Sequence, residues 1–165
     1  MGTEDTATIL LRFANGARGS VAVSQISPGR KNSLQWEIDG SDAAAAWDSE
    51  TPDHLWIGHR DQPNELLLRN PALMGAAGRI AAALPGGHVE GFGDTFAALF
   101  RAIYADIAAG RPNPDPPYAT FAAGHDEMLV NDAIAESARS GRWVDVDRSA
   151  TAPSHANVHE EVSIS

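Results

Sequence analysis

The chain has 165 residues, of which 43% are hydrophobic and 21% charged, so its length suits one globular domain. Its formal net charge of -10 at pH 7 would repel phosphate backbones, which argues against nucleic acid as a partner. It has no cysteine, no bilayer-length apolar run and no basic-then-apolar N-terminal signal, so we expect a cytoplasmic protein without membrane contact.

The beginning of the chain predicts a β-hairpin. Residues 6–13 place apolar side chains at alternate positions, as in a strand with one covered face. Asn15-Gly16 then indicates a two-residue type I′ turn, because both residue types tolerate a positive φ. The return strand is predicted over residues 17–26. With a two-residue turn, Leu11 would lie opposite Ser20.

Further strands follow, each bounded by glycine, proline or aspartate. They are predicted over residues 33–38, 43–48, 54–58 and 65–68. About six strands with turn signals roughly every ten residues indicate a mainly antiparallel open sheet.

The second half of the chain changes to helical periodicity. An Ala-rich segment over residues 71–84 predicts a helix, and Asp94 is the predicted N-cap of another that reaches Ala109. A longer helix is predicted over residues 121–140, followed by a last strand over residues 142–146. Strands first and helices later predict an α+β fold with the helices packed on one sheet face. The predicted domain covers residues 1–147, and residues 148–165 are predicted to be a disordered tail.

Motifs for autonomous chemistry are missing from the sequence. It has no Gly-x-Gly-x-x-Gly for a dinucleotide, no Walker-type Gly-Lys-Ser/Thr, no Gly-x-Ser-x-Gly and no His-Glu-x-x-His. His155 and His159 have i, i+4 spacing, but they lie in the predicted tail without a third fixed ligand. We therefore predict no catalytic, cofactor-binding or metal-binding residue in this chain.

Several short segments, taken in chain order, are similar to one known family. They are Glu4-Asp5-Thr6-Ala7, Leu11-Arg12-Phe13-Ala14-Asn15-Gly16-Ala17-Arg18-Gly19, Ser24-Gln25, Gly29-Arg30-Lys31-Asn32, Ile38-Asp39-Gly40-Ser41, Trp47-Asp48-Ser49-Glu50-Thr51-Pro52, Pro85-Gly86-Gly87-His88, Glu90-Gly91-Phe92, Asp94-Thr95-Phe96, Ser137-Ala138 and Gly141-Arg142-Trp143-Val144. Together they resemble the C-terminal domain of the glucose–fructose oxidoreductase / inositol dehydrogenase / rhizopine catabolism (Gfo/Idh/MocA) family, over roughly residues 4–146.

The resemblance implies one part of a two-domain enzyme. In that family an N-terminal Rossmann domain holds NAD or NADP, and hydride passes between the nicotinamide and a carbon of a sugar or polyol. A Lys of the Rossmann domain's Glu-Lys-Pro motif lies near the reacting oxygen. The C-terminal sheet lines the substrate pocket and often forms a homo-oligomer interface. We therefore expect this chain to lack the Rossmann domain, to bind no cofactor alone and to be inactive alone, as part of an NAD(P)-dependent dehydrogenase.

Four residues are candidates for substrate binding. His88 follows a Pro-Gly-Gly loop that would approach a ligand closely. Arg30 and Lys31 follow a Pro-Gly turn and would bind sugar hydroxyl groups or a cofactor phosphate. Trp36 offers an aromatic face to a sugar ring. Each has a structural alternative as well: a loop histidine bonded to backbone, a solvated turn, or a core or interface tryptophan.

Glu90 also has two readings. It would orient the imidazole of His88, or it would serve as a carboxylate near the start of the next helix.

Two alternatives to a dehydrogenase domain stay open at this point. The chain would be a freestanding carbohydrate-binding module without catalysis, or it would supply an interaction surface to a separately encoded dehydrogenase subunit. The first predicts carbohydrate affinity for this chain alone. The second predicts tight association with a nucleotide-binding protein and no ligand affinity of its own.

Overall fold

Six strands, one 3₁₀ turn and three α-helices make up residues 5–111 and 113–148, the part of the chain that the computed structural model describes. The strands are β1 Thr6–Arg12, β2 Arg18–Ser24, β3 Gln35–Asp39, β4 Ala43–Asp48, β5 His54–His59 and β6 Glu65–Leu68. The 3₁₀ turn is Pro71–Leu73, and the helices are α1 Ala76–Ala81, α2 Phe92–Ala109 and α3 Phe121–Ser140. This order confirms the α+β class. The predicted tail beyond Arg148, with His155 and His159, lies outside the described residues.

Two compact units divide the chain between Tyr118 and Ala119. The first unit holds all six strands with α1 and α2, and the second holds α3. Within the first unit, the strands form a two-stranded sheet, β1-β2, and a four-stranded sheet in the order β3-β4-β5-β6. Every pairing is antiparallel, as predicted.

The hairpin β1-β2 keeps the predicted alternation but not the predicted register. Ala7, Ile9 and Leu11 are half-buried while the residues between them are exposed, as expected for a strand with one covered face. Leu11 lies opposite Gly19, however, and not opposite Ser20. The predicted register is therefore wrong by one residue on the return strand.

The turn explains this shift. The Phe13 N–H still donates to the Ala17 carbonyl at 3.1 Å, so the connecting loop has three residues instead of two. Gly16 has a φ of 92°, whereas Asn15 does not enter the positive-φ region that a type I′ turn requires at both central positions. The Asn15 side chain instead accepts the Ala17 N–H at 3.0 Å. This local side-chain bond favours the longer loop.

Replacing Gly16 by alanine should destabilise the hairpin. A side chain at φ 92° is strained even though no other atom lies within 4 Å of its Cβ position. We expect a loss of about 1 kcal/mol in the free energy of unfolding, measured by urea denaturation. Gly93→Ala is the matched control, because Gly93 lies in α2 with open space around it and an ordinary φ. An equal loss in both variants would contradict the role assigned to the positive φ.

The four-stranded sheet carries an apolar row on one face. Trp36 lies opposite Trp47, Trp47 opposite Leu55, and Leu55 opposite Leu67, so the row crosses all four strands. Side chains alternate along each strand, and the other face therefore carries a different row. That second row consists of Glu37, Ala46, Trp56 and Leu66.

Apolar side chains in the described residues lack full cover. None of the hydrophobic side chains there is buried, and Ile38, Leu66 and Leu68 are 67%, 58% and 64% exposed. The main close backbone contacts between elements join neighbouring strands and join the 3₁₀ turn to α1, and none of these pairs a helix with a strand. The packing of helices on one sheet face therefore stays a prediction.

The helices of the first unit differ from the prediction at their starts. The Ala-rich segment contains a 3₁₀ turn and a short α1, separated by Met74 and Gly75, in place of one helix. Helix α2 begins at Phe92, so Asp94 is not the N-cap but lies in the first turn. Its carboxylate accepts the N–H of Gly91 at 2.8 Å. Asp94 therefore stabilises the helix start from inside the helix, in the reciprocal half of a capping box.

The second unit contains α3 with the predicted bounds. The Thr120 side chain accepts the N–H of Ala123 at 3.3 Å, and Gly141 ends the helix with a φ of 66°. The strand predicted over residues 142–146 is wrong, because that segment joins no ladder with another described segment. A strand depends on partner groups far away in sequence, which local composition does not reveal.

Candidate functional site

A charged cluster lies beyond the end of β6, centred on Arg69. The Arg69 Nε atom lies 2.9 Å from Asp53 Oδ1, and its Nη1 atom lies 2.7 Å from Glu90 Oε2. The side chains of Arg69, Asp53 and Glu90 are 10%, 18% and 11% exposed, which is low for this chain. Charges so poorly solvated need good partners, and here one arginine meets two carboxylates.

The same guanidinium also binds the loop that carries His88. Nη1 donates to the Leu84 carbonyl at 3.1 Å, and Nη2 donates to the Pro85 carbonyl at 3.3 Å and to the His88 carbonyl. With the two ion pairs, these bonds engage all five N–H groups of the guanidinium. Arg69 therefore joins the end of the sheet to this loop.

Glu90 completes the attachment of the loop. Its Oε1 atom accepts the N–H groups of Ala83 and Leu84 at 2.6 and 2.7 Å, and its Oε2 atom faces Arg69. Neither carboxylate oxygen contacts the imidazole of His88 in the described structure. Glu90 therefore does not orient the His88 imidazole by direct contact. Its carboxylate instead binds backbone N–H groups ahead of α2, as the second hypothesis proposed.

His88 itself has an exposed side chain at the end of the turn over residues 85–88. Its N–H donates to the Pro85 carbonyl at 3.3 Å, and Gly87 has a φ of 85°, which a residue with a side chain would rarely adopt. The backbone of His88 is thus held while its imidazole is accessible. This combination suits contact with a ligand, and the residue type suits hydroxyl groups.

Arg30 and Lys31 lie in the loop between β2 and β3. Both are exposed, and neither forms an ion pair with a described residue. Lys31 has a φ of 54°, which is uncommon for a residue other than glycine, and it follows Gly29 with a φ of 81°. The backbone therefore turns sharply at the two cationic side chains and leaves both available.

Trp36 lies on β3 and stacks against Trp47, with ring centroids 6.5 Å apart and ring planes inclined by 24°. The Trp47 ring N–H donates to the Pro52 carbonyl at 3.0 Å. Trp36 is 41% exposed, so one part of its surface meets Trp47 and another meets solvent. Trp36 thus packs against Trp47 as a core tryptophan would, and the rest of its surface is accessible to solvent.

Trp36 also lines an open groove of about 490 Å³ on the four-stranded sheet. The groove is lined by Gln35, Trp36, Glu37, Ala46, Trp47, Asp48, Thr51, His54, Trp56 and Leu66. The Trp56 ring lies across Gly58, where a Cβ would come within 2.4 Å of the ring. The lining contains the whole row of Glu37, Ala46, Trp56 and Leu66, so the groove lies on that face of the sheet, whereas the Trp36 and Trp47 side chains belong to the row on the other face.

The four predicted binding residues lie at three places in the structure. His88 belongs to the loop held by Arg69, Arg30 and Lys31 share the β2–β3 loop, and Trp36 lines the groove. No hydrogen bond, ion pair or ring contact joins these three places among residues 5–111 and 113–148. Their assignment to one substrate site stays a prediction.

Sequence reasoning missed Arg69 and Asp53. The available signal was a single arginine directly after the apolar run Leu66-Leu67-Leu68. An arginine that follows an apolar strand is more often solvated. The partners that reveal its role, Asp53 and Glu90, are 16 and 21 residues away in sequence.

Another polar cluster connects the end of α2 to the segment after it. The Tyr118 hydroxyl donates to Asp106 Oδ2 at 2.7 Å, and the Asn113 amide donates to Asp106 Oδ1 at 3.2 Å. The bond to Asp106 raises the pKa of Tyr118 above its ordinary value, since a phenolate would lose the bond and face a carboxylate. This cluster joins the end of α2 to the segment after it through side-chain bonds.

Within the described ranges, no three His, Cys, Asp or Glu side chains lie close enough together to hold a metal ion. No helix in those ranges is both long and apolar enough to cross a bilayer.

Comparison with known proteins identifies the class. Residues 1–146 match the family model described as the oxidoreductase family, C-terminal alpha/beta domain, of the Gfo/Idh/MocA group. The chain belongs to this family, which confirms the resemblance seen in the sequence. The described structure accordingly has the antiparallel α+β fold of dehydrogenase C-terminal domains.

Particular relatives refine this assignment. Levoglucosan dehydrogenase of Pseudarthrobacter phenanthrenivorans is 30% identical over 146 residues, which cover 87% of this chain and 36% of that protein. An oxidoreductase of Sinorhizobium meliloti matches with a TM-score of 0.80 and 29% identity over 88% of this chain and 42% of that one. An inositol dehydrogenase homologue of Azotobacter vinelandii, in complex with NADH and myo-inositol, matches with a TM-score of 0.71 and 26% identity. That match covers 86% of this chain and 39% of the homologue.

The chain thus spans little more than a third of the curated relatives that it matches. The matched part is the C-terminal domain, and the activities of the whole relatives involve more chain than the match covers.

Proposed function

We propose that this chain is the substrate-binding and oligomerisation domain of an NAD(P)-dependent sugar or polyol oxidoreductase. The main observation in support of this proposal is the match of residues 1–146 to the family's C-terminal domain. Solved relatives support the chemistry, since levoglucosan dehydrogenase forms complexes with NADH and levoglucosan and the inositol dehydrogenase homologue with NADH and myo-inositol. In this proposal the chain contributes binding and orientation to hydride transfer.

The nicotinamide belongs to an N-terminal Rossmann domain in this proposal. The sequence has no glycine-rich strand–turn–helix to hold a pyrophosphate, so its own residues do not fit the cofactor. Bound NAD or NADP would supply or accept the hydride. We assign no cofactor contact to a residue of this chain.

Substrate contacts come from the four predicted residues. Exposed His88 and the free cations Arg30 and Lys31 suit the hydroxyl groups of a sugar or polyol, and the open face of Trp36 suits its C–H surface. Assembly of the intact enzyme would bring these three places together around one substrate.

The exposed apolar surface supports a role in assembly. The row of Trp36, Trp47, Leu55 and Leu67 crosses the four-stranded sheet, and no hydrophobic side chain in the described residues is buried. Covering such surface contributes about 25 cal/mol per Å² before the cost of association. An N-terminal domain and a second copy of the chain are the partners that the proposal assigns.

A chimera tests this function. Residues 1–146 would replace the matching domain of the Pseudarthrobacter levoglucosan dehydrogenase, and NADH formation would be assayed with levoglucosan and myo-inositol. We expect turnover by the chimera and none by the 165-residue chain alone. A folded chimera without turnover on any sugar or polyol, together with sugar binding by the chain alone, would instead favour a freestanding carbohydrate-binding module.

His88→Ala should raise the KM of the chimera about threefold to tenfold, since one hydrogen bond to substrate contributes about 1 kcal/mol. Arg101→Ala on α2 is the control, because Arg101 is exposed and belongs to none of the candidate places. An unchanged KM in His88→Ala would remove His88 from the substrate site.

Sequencing the DNA upstream of the Met1 codon adds a separate test, in which an in-frame Glu-Lys-Pro and glycine-rich motif is expected.

A further inference from the structure

The loop around Arg69 has a defined inner side. The carbonyl groups of Leu84, Pro85 and His88 all accept N–H groups of the guanidinium, so they point toward it. Three carbonyls that converge on one side chain fix the direction of the peptide planes in this loop. The loop wraps the guanidinium and does not merely pass beside it.

The opposite side of the loop presents hydrogen-bond donors. In a planar trans peptide the N–H points away from the preceding carbonyl, and the described residues contain no cis peptide. The N–H groups of Gly86 and Val89 therefore point away from Arg69, because they follow the Pro85 and His88 carbonyls. Neither N–H has an acceptor among the described residues. The exposed imidazole of His88 lies on the same short turn.

We infer that Arg69 is a positioning residue, which holds this loop so that the Gly86 and Val89 N–H groups and the His88 imidazole bind hydroxyl oxygens of a sugar or polyol. The inference rests on the proposed function and deepens it. It assigns two backbone donors to the substrate site, and it gives the Arg69 cluster the role of positioning them for substrate binding. Neutral oxygen acceptors suit this set, since backbone N–H groups donate and imidazole both donates and accepts.

Arginine is the residue type that can hold this loop and both carboxylates at once. Its fork supplies five donors in fixed directions, and all five are used, whereas the ammonium of lysine has three donors at one atom. Asp53 lies before β5 and Glu90 before α2, so the two ion pairs attach the loop to the sheet and to the start of the helix. Gly86 also lies close to the end of β6, since a Cβ there would be 3.5 Å from the Asn70 side chain.

Arg69→Lys tests the inference with two measurements. The first is the NMR spectrum of the 165-residue chain, in which the amide signals of Gly86 and Val89 and the ring signal of His88 report the loop without any catalysis. The second is the KM and kcat of the chimera. We expect the three loop signals to shift and KM to rise at least tenfold, while kcat stays within about threefold of the parent.

The control is Arg139→Lys, because Arg139 forms an exposed ion pair with Glu136 within α3 and is therefore a matched arginine outside the Arg69 cluster. It should leave the loop signals and KM unchanged. If Arg69→Lys fails to fold, Glu90→Gln replaces it, since the amide oxygen keeps an acceptor for Ala83 and Leu84 while the charge is lost. A smaller rise in KM is then expected.

Shifted loop signals with an unchanged KM would overturn the inference, since the loop would then be structural. Unchanged loop signals in Arg69→Lys would overturn it as well. The proposed function fails separately, when the parent chimera turns over no sugar or polyol. In that case titration of the parent chain with levoglucosan and myo-inositol decides the matter. Shifts confined to Gly86, His88 and Val89 would support the loop as a binding element, and their absence would overturn it.

Discussion

Replacing Glu90 by alanine should lower the free energy of unfolding of the first unit by about 3 kcal/mol, which is the size expected when one partner of a poorly solvated ion pair is removed. The substitution leaves Arg69 without its 2.7 Å partner at a position where its side chain is 10% exposed. It also removes the acceptor of the Ala83 and Leu84 N–H groups. Urea denaturation followed by tryptophan fluorescence measures the loss.

The second unit offers a matched control for this experiment. Glu136 and Arg139 form an ion pair with the same 2.7 Å separation, but their side chains are 49% and 72% exposed. Water and salt screen such a pair, so Glu136→Ala should cost at most about 0.5 kcal/mol. Similar losses in the two variants would show that the burial of the Arg69 cluster carries no special stability. High salt should reduce the effect at Glu136 more than the effect at Glu90.

Replacing Gly58 by valine should cost about 2 kcal/mol, because it introduces a side chain where there is no room. Gly58 is buried in the middle of the four-stranded sheet, and the Trp56 ring covers the position that a Cβ would take. The approach of 2.4 Å is too close for any real contact, so the ring must move. We expect lower stability and a shifted indole N–H signal for Trp56, since the substitution also reshapes the groove.

Gly93→Val provides the comparison for Gly58→Val. Gly93 lies in the first turn of α2 with nothing within 4 Å of its Cβ position. Valine is acceptable in a helix and slightly better there than glycine, so the free energy of unfolding should change little. A loss at Gly93 as large as that at Gly58 would mean that valine is unfavourable for reasons other than the Trp56 ring.

Local signals predicted most secondary structure well. Strands β4 and β6 and helix α3 have the predicted bounds, since turn-forming or capping residues lie near their ends. The segment over residues 142–146 has similar composition to a strand but lacks a partner ladder among the described residues. Strand formation there depends on what other chain segment is available, which composition does not reveal.

The assignment of the candidate residues to a substrate site stays a prediction. The sequence pointed to His88 because imidazole after Pro-Gly-Gly suits ligand contact, and the structure describes that side chain as exposed on a held turn. Arg69 was not predictable, because a lone arginine after three leucines has no local partner. Its importance depends on Asp53 and on the loop before α2, which the folding of the first unit brings to the same guanidinium.

The sequence by itself determined the family, the α+β class and most element positions, because short-range periodicity and ordered short motifs carry that information. Tertiary structure alone decided the cluster around Arg69, while the hairpin register and the place of Asp94 inside α2 follow from local hydrogen bonds that the sequence pattern left open. Each of these depends on which of several acceptable hydrogen bonds forms. Neighbours distant in sequence settle that choice for Arg69, since a five-donor side chain is satisfied only when the rest of the fold is in place.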